Sequence, residues 1–210
     1  MMIGTIAALW RYPVKALRAE ALERADVLTD GLAGDRTAAL IVETPDHPRV
    51  GKPYRGKESA RLHRVADPAV ARAEAAEDGV AVALDRSAPR WFDARPISLL
   101  FDLWVGDVEA LVGEPLDPLR WRPNLYVRAA NGFTMREADL VGSTLRAGTA
   151  VLRVVKPIRR CVTTTYDVQT GVAEPRVLAE VARNRENVVG VYCETVEPGT
   201  LALGDPLRLD

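Results

Sequence analysis

Apolar and polar positions along this chain alternate with a period of two far more often than they recur every three or four residues. Residues 3–9, 20–28, 37–42, 80–84, 125–128, 151–155, 188–194 and 206–209 carry the alternation and predict strands. Turn chemistry punctuates them at Thr29-Asp30-Gly31, Pro45-Asp46, Glu197-Pro198-Gly199 and Leu203-Gly204-Asp205. Helical periodicity is confined to three segments. Residues 68–77 are Ala-rich, between Asp67 as N-cap and Gly79 as stop. Residues 102–112 place Trp104, Val108, Leu111 and Val112 on one face before Gly113. Residues 175–185 begin with proline in the first turn, where its missing N–H costs nothing, and set Leu178 and Val181 on the apolar side. The pattern predicts a mainly β protein with a few short helices, a barrel or sandwich rather than a doubly wound α/β sheet. A weak boundary at Ser87-Ala88-Pro89-Arg90 divides it into an N-terminal β unit, residues 1–88, and a larger C-terminal unit, residues 89–210. The polar stretch 42–60, rich in Pro and Gly, reads as a long mobile loop.

Charge narrows the function classes. Lys and Arg number 28 against 29 Asp and Glu, a net charge of −1, so no global field favours nucleic acid and any anion site must be local. No apolar run reaches the length of a membrane span, and the apolar opening lacks a basic leader, so a cytoplasmic location without membrane contact is expected. Two cysteines cannot supply the four thiolates of an iron–sulfur cluster, and two histidines exclude a His-rich zinc site.

The most chemically informative segment is Ile158-Arg159-Arg160-Cys161-Val162-Thr163-Thr164-Thr165-Tyr166-Asp167, followed by Thr170-Gly171. Neighbouring positive charge favours the thiolate, the form that attacks electrophiles and binds metals. Pro157 is expected to close the preceding strand and leave Cys161 on a loop at its end. A thiolate there can be a nucleophile, a soft-metal ligand or a persulfide carrier. Neither His47 nor His63 sits in a convincing motif, which disfavours a Cys–His protease arrangement. Cys193 shares a strand face with Val189 and Val191 and reads as a packed core thiol. Three further clusters stand out: Tyr12-Pro13-Val14-Lys15, Gly34-Asp35-Arg36 and Arg120-Trp121-Arg122-Pro123-Asn124. Each alone has an ordinary structural reading: a solvated charge, a turn with an ion pair, and a charge-guarded strand edge.

In their order, the clusters resemble the MOSC superfamily, the molybdenum-cofactor sulfurase C-terminal domain, together with its N-terminal β-barrel partner. The likeness runs from about residue 3 to residue 209 and closes on the turn Gly204-Asp205. It implies a β-barrel fold and a site for molybdenum cofactor. In the branch that includes the amidoxime-reducing enzymes, it implies Cys161 as the metal ligand. Lys15 and Arg36 are then expected at the cofactor phosphate, Arg122 and Asn124 at the pterin edge, and Arg160 and Thr164 around the cysteine. Asp167 is the carboxylate for proton handling or for fixing the loop, and the 42–60 loop rims the site. The implied activity is reduction of small N-hydroxylated compounds with electrons from a separate ferredoxin or flavoprotein. The alternatives are a cofactor carrier that passes sulfur as a Cys161 persulfide, and a metal-free enzyme with Cys161 as nucleophile. The chain departs from the family pattern at Ala16 for Ser, Leu140 for Trp, Val168 for Pro, and Arg159 where a small residue is frequent.

Overall fold

The computed structural model describes residues 1–57, 59 and 61–210. In chain order the elements are β1 (Met2–Arg11), β2 (Glu20–Leu22), β3 (Arg24–Leu28), β4 (Gly31–Leu32), β5 (Ala39–Val42), α1 (Pro68–Glu77), β6 (Val82–Asp85), β7 (Ile97–Phe101), α2 (Asp102–Val112), β8 (Leu125–Ala129), β9 (Thr144–Ala147), β10 (Ala150–Arg159), α3 (Pro175–Asn184), β11 (Val188–Glu197), β12 (Gly199–Ala202) and β13 (Pro206–Leu209). The order β13-β9-β10-β11-β7-β8-β1 closes through β1–β13 into a seven-stranded barrel, with β2 appended to β1. Every neighbouring pair in the barrel is antiparallel except β7 and β8, which are parallel and joined through α2. Closure removes the exposed strand edges that an open sheet would leave.

The mainly β expectation holds, with three short α-helices. Asp67 caps α1 by accepting the Ala69 N–H at 2.8 Å, and Gly113 ends α2 in the left-handed region at φ 84°. Two helix faces differ from expectation. Leu111 is exposed while Val105 is buried, and Val177 rather than Leu178 joins Val181 in the core.

Two apolar clusters organise the molecule. The larger fills the barrel with residues such as Ile6, Leu99, Phe101, Trp121, Leu152 and Val191. The smaller lies among residues 14–82, around Leu17, Leu40, Tyr54 and Leu62. The expected division near residue 88 is crossed by β1, which pairs with both β8 and β13 and gives Ile3, Ile6 and Leu9 to the barrel core.

Pro157 does not end its strand. β10 continues to Arg159, with register shifts on either side of the proline. Pairing with β9 stops at Arg153, so Pro157 lies where β10 has β11 alone as a neighbour. There its missing N–H and the irregular register are accommodated together. Cys161 follows two residues after the strand, in extended backbone, and opens a 3-10 turn over Val162–Thr165.

Candidate functional site

Tyr12 organises the first wall of the site. It is 1% exposed, its hydroxyl donates to the Pro123 carbonyl at 3.1 Å, and burial pushes its pKa up to about 12. The Arg122 and Arg36 guanidiniums lie 4.2 and 4.9 Å from its ring centroid, so one neutral aromatic face gathers two cations. Asp35, fully buried, accepts the Tyr12 N–H at 2.7 Å and pairs with Arg36. Arg122 donates to the Leu17 carbonyl at 2.9 Å and bonds His63 Nδ1 at 3.0 Å, and burial pushes its pKa down to about 10.

Of these groups Arg36, Arg122 and His63 line a cavity of about 350 Å³, with Tyr12 and Asp35 behind them. Among the described residues its cations are Lys15, Arg36, Arg55, Lys57, Arg120, Arg122, Arg159 and Arg160, and its one carboxylate is Asp93, already paired with Lys15. Cys161, Thr163, Thr164, Trp121, Tyr192 and Ser98 complete much of the remaining wall. Ala16, Arg36 and Arg122, all lining the cavity, hold φ of 70°, 48° and 52°. Non-glycine residues in the left-handed region store strain, and such residues concentrate at functional sites.

The cavity brings together Lys15, Arg36, Arg122, Arg160, Cys161 and Thr164 from the expected set. Their roles within it differ. Cys161 is exposed, and its Sγ contacts Thr163 Oγ1 at 3.3 Å. Thr164 is buried and spends both its N–H, at 3.0 Å, and its hydroxyl, at 2.9 Å, on the Cys161 carbonyl, fixing the turn beneath the sulfur. Arg160 directs its guanidinium to the carbonyls of Val189 and Trp121, at 2.7 Å each, so it chiefly clamps β11 to the Trp121 segment. Burial pushes its pKa down to about 10.

Asn124 and Asp167 lie outside the lining. Asn124 is fully buried: its amide oxygen accepts from Ser98 N, Ser98 Oγ and Arg36, and its Nδ2 donates to the Trp10 carbonyl. It ties β1, β7 and the start of β8 together behind the cavity instead of presenting an amide edge. Asp167 accepts from Gln169 N, Thr170 N, Thr170 Oγ1 and Arg120 Nη2. Partial burial would raise its carboxyl, but these bonds outweigh that and hold its pKa below the ordinary range. Of the two roles expected for it, the geometry matches fixing the loop. Arg120-Trp121 is a 3-10 turn and not a strand edge, with Arg122 in left-handed backbone directly after it.

Several lining residues carried little sequence signal. His63 follows Leu62 of the smaller cluster in the chain and is 5% exposed. Tyr192 lies on β11 between the core-facing Val191 and Cys193, so strand alternation alone could have placed it on the opposite wall. Arg55, Gly56 and Lys57 are the part of the 42–60 stretch that reaches the cavity; Glu58 and Ala60 lie outside the described residues.

His63 also sets a pH dependence. Burial, reinforced by Arg122, pushes its pKa down from 6.5 to about 3. Below pH 6.5 the unfolded chain takes up a proton that the folded chain refuses, so this residue costs stability as pH falls from 6.5 towards 3. Its contribution is at most about 1.4 kcal/mol per pH unit. Urea melts at pH 7 and 4.5 should show wild type losing more stability than His63→Asn across that interval. Equal losses would contradict a buried neutral imidazole.

The donor set fits an anionic organic cofactor on its own chemistry. Cations crowd one cavity with an accessible thiol, and the buried Trp121 Nε1 and Arg120 Nε, both on lining residues, have no hydrogen-bond partner among the described residues. Among the described residues, no helix is long and apolar enough to cross a membrane.

Comparison with known proteins agrees with this architecture. The chain shares 28% identity over 124 residues with mitochondrial amidoxime-reducing component 1 of Danio rerio, a match covering 55% of this chain and 37% of that protein. It therefore matches well under half the length of that curated relative. The YUAD protein of Bacillus subtilis superposes with a TM-score of 0.61 at 16% identity, covering 98% of this chain and 94% of the other. A second solved structure, described as a hypothetical protein, reaches a TM-score of 0.51 at 12% identity over 100% of this chain and 68% of its own. At those identities the two structures speak to the fold alone. Residues 3–67 match the MOSC N-terminal beta barrel domain and residues 90–208 match the MOSC domain; the chain belongs to the MOSC domain family.

Proposed function

We propose that the protein holds a molybdenum cofactor in the Cys161 cavity and reduces small N-hydroxylated compounds. The observation that carries this reading is the convergence of an exposed Cys161 with Lys15, Arg36 and Arg122 in one cavity. The similarity to an amidoxime-reducing component supports it. When bound, such a cofactor supplies two-electron chemistry: N–OH, two electrons and two protons give N–H and water.

The chain's own residues divide the remaining work. Lys15 and Arg36 are placed to hold a phosphate by charge-assisted hydrogen bonds. Asp93, the present partner of Lys15, is 76% exposed and can yield to a doubly charged anion at little cost. Arg122 keeps unused N–H donors for a planar heterocycle, since its named bonds occupy Nη1 and Nη2 once each. Thr164 holds the Cys161 carbonyl and so the direction of the sulfur. Electrons enter from a separate protein, a ferredoxin or a flavoprotein, because the chain has too few cysteines for an iron–sulfur cluster of its own.

The test is elemental analysis of protein purified from a host that makes the cofactor, followed by assay with benzamidoxime and a chemical reductant. Near-stoichiometric molybdenum with benzamidine as product is the expected result. Folded protein with neither metal nor turnover would sink the reading. The exposure of Cys161 also suits a persulfide carrier. That alternative predicts cyanide-releasable sulfur on Cys161 and no reduction of the amidoxime.

A further inference from the structure

The cavity's positive charge exceeds what its own walls consume, and the excess lies beside the thiol. Lys15 is paired with Asp93, Arg36 with Asp35 and Arg120 with Asp167, while Arg160 and Arg122 donate to backbone carbonyls. Arg159 is different. It lines the cavity, is exposed, and its side chain makes no hydrogen bond or ion pair with a described residue.

Its position follows from strand geometry. β10 ends at Arg159, and two residues on Cys161 is itself extended, with φ and ψ of −133° and 179°. Alternate residues of extended chain fall on one side. Arg159 and Cys161 are both exposed, whereas the intervening Arg160 is turned inward onto Val189 and Trp121. The two adjacent arginines therefore differ: Arg160 is built into the wall, and Arg159 lines the cavity as an exposed side chain two residues from Cys161. Lys57, exposed and likewise without a described partner, adds a second positive charge to the lining.

We propose that Arg159 makes this cavity select N-hydroxylated substrates that also carry a carboxylate or comparable anionic group. An unpartnered guanidinium at a partly enclosed opening attracts an anion, offers it a planar fork of donors, and leaves a neutral substrate unattended. The inference rests on the reductase reading and narrows its substrate class. In the amidoxime case the N–O bond breaks, a new N–H bond forms and the oxygen leaves as water. A one-electron protein carrier supplies the two electrons, and solvent supplies the two protons. Arg159 takes no part in that chemistry; it is a specificity-determining residue.

The experiment compares benzamidoxime with 4-carboxybenzamidoxime, which share the N–OH group and differ by one negative charge. Binding is read first, without turnover, from quenching of tryptophan fluorescence in the full-length protein, since Trp121 lines the cavity. Turnover follows with reduced benzyl viologen as donor. Wild type is expected to bind the carboxylate about tenfold more tightly and to show a KM lower by a similar factor. The preference should shrink as salt rises. Arg159→Gln should abolish it, Arg159→Glu should reverse it, and Arg159→Lys should restore most of it, each read as the ratio of the two compounds within one variant, so that any change common to both cancels. Equal binding and KM for the two compounds in wild type would overturn the inference while leaving the reductase reading in place. An Arg159-dependent binding preference without turnover of either compound would retain the anion selectivity and overturn the reductase reading.

Discussion

Cys161→Ser is expected to fold as wild type does and to lose at least a hundredfold in amidoxime reduction, together with most of its bound molybdenum. The two halves of that expectation have separate causes. Cys161 is exposed and, among the described residues, its sulfur's hydrogen-bond contact is Thr163 Oγ1, so little packing depends on it, and surface changes of this size move stability by about 0.5 kcal/mol or less. The turn beneath it is held by Thr164 and Thr165, whose bonds run to the backbone carbonyls of Cys161 and Val162 and are untouched by the substitution. A hydroxyl, by contrast, is a hard and weakly acidic donor that does not replace a thiolate on a soft metal. Cys193 gives an internal control. It is fully buried, burial pushes its thiol up to about 12, and it should remain inert to alkylation in the native state. Native wild type should therefore take up one equivalent of iodoacetamide and the variant none, with cofactor loading protecting the wild-type site. Retention of metal and turnover by the serine variant would remove Cys161 from the chemistry and leave the basic cavity to bind the cofactor by charge alone.

The fold was legible in the sequence where burial is one-sided. β1, β8 and β13 each leave one face towards a core and were visible as alternation. β7 was not, because all five of its residues are buried and it has no polar face to alternate with. β9 and β12, four residues each, were not singled out as strands. The predicted 20–28 strand breaks at Glu23 into β2, which pairs with β1, and β3, which pairs with β12 and β4. Thr29-Asp30-Gly31 is a turn as expected, but Gly31 already pairs with Leu28.

Residue chemistry at the site was equally legible, and direction was not. Sequence placed Arg160 at a ligand and left Arg159 as an unwelcome bulk. In the structure both line the cavity, but Arg160 is held against the wall, where a Cβ on Gly190 would meet its Nη2 at 3.0 Å, while Arg159 is exposed. Asn124 reads as a ligand-binding amide in its motif, yet its four partners are all protein. Which way a side chain leaves the wall depends on neighbours distant in sequence, such as Trp10 and Val189, and a local motif does not contain them.

The same Gly190 couples stability to the site, and it makes Glu137 the most consequential residue outside the cavity. Glu137 and Arg185 have side chains only 6% and 3% exposed and are bonded at 2.7 Å; Glu137 also accepts the Gly190 N–H at 3.1 Å. Arg185 reaches on to Asp107 of α2. One carboxylate thus joins the turn before β9, the end of α3 and the bulge in β11. Glu137→Ala strands a buried guanidinium and a backbone donor together, and breaking such a pair from one side costs about 3–5 kcal/mol. For a chain of this length that is a fall in melting temperature on the order of 10 °C. Glu137→Gln keeps an acceptor for both donors and should lose less than half as much. Because the neighbouring Val189 carbonyl anchors Arg160, the alanine variant should also expose Cys161 to faster alkylation below its melting point. A melting temperature within about 2 °C of wild type would show that Asp107 alone satisfies Arg185. A normal alkylation rate in a destabilised variant would show that the bulge holds the Cys161 segment without Glu137.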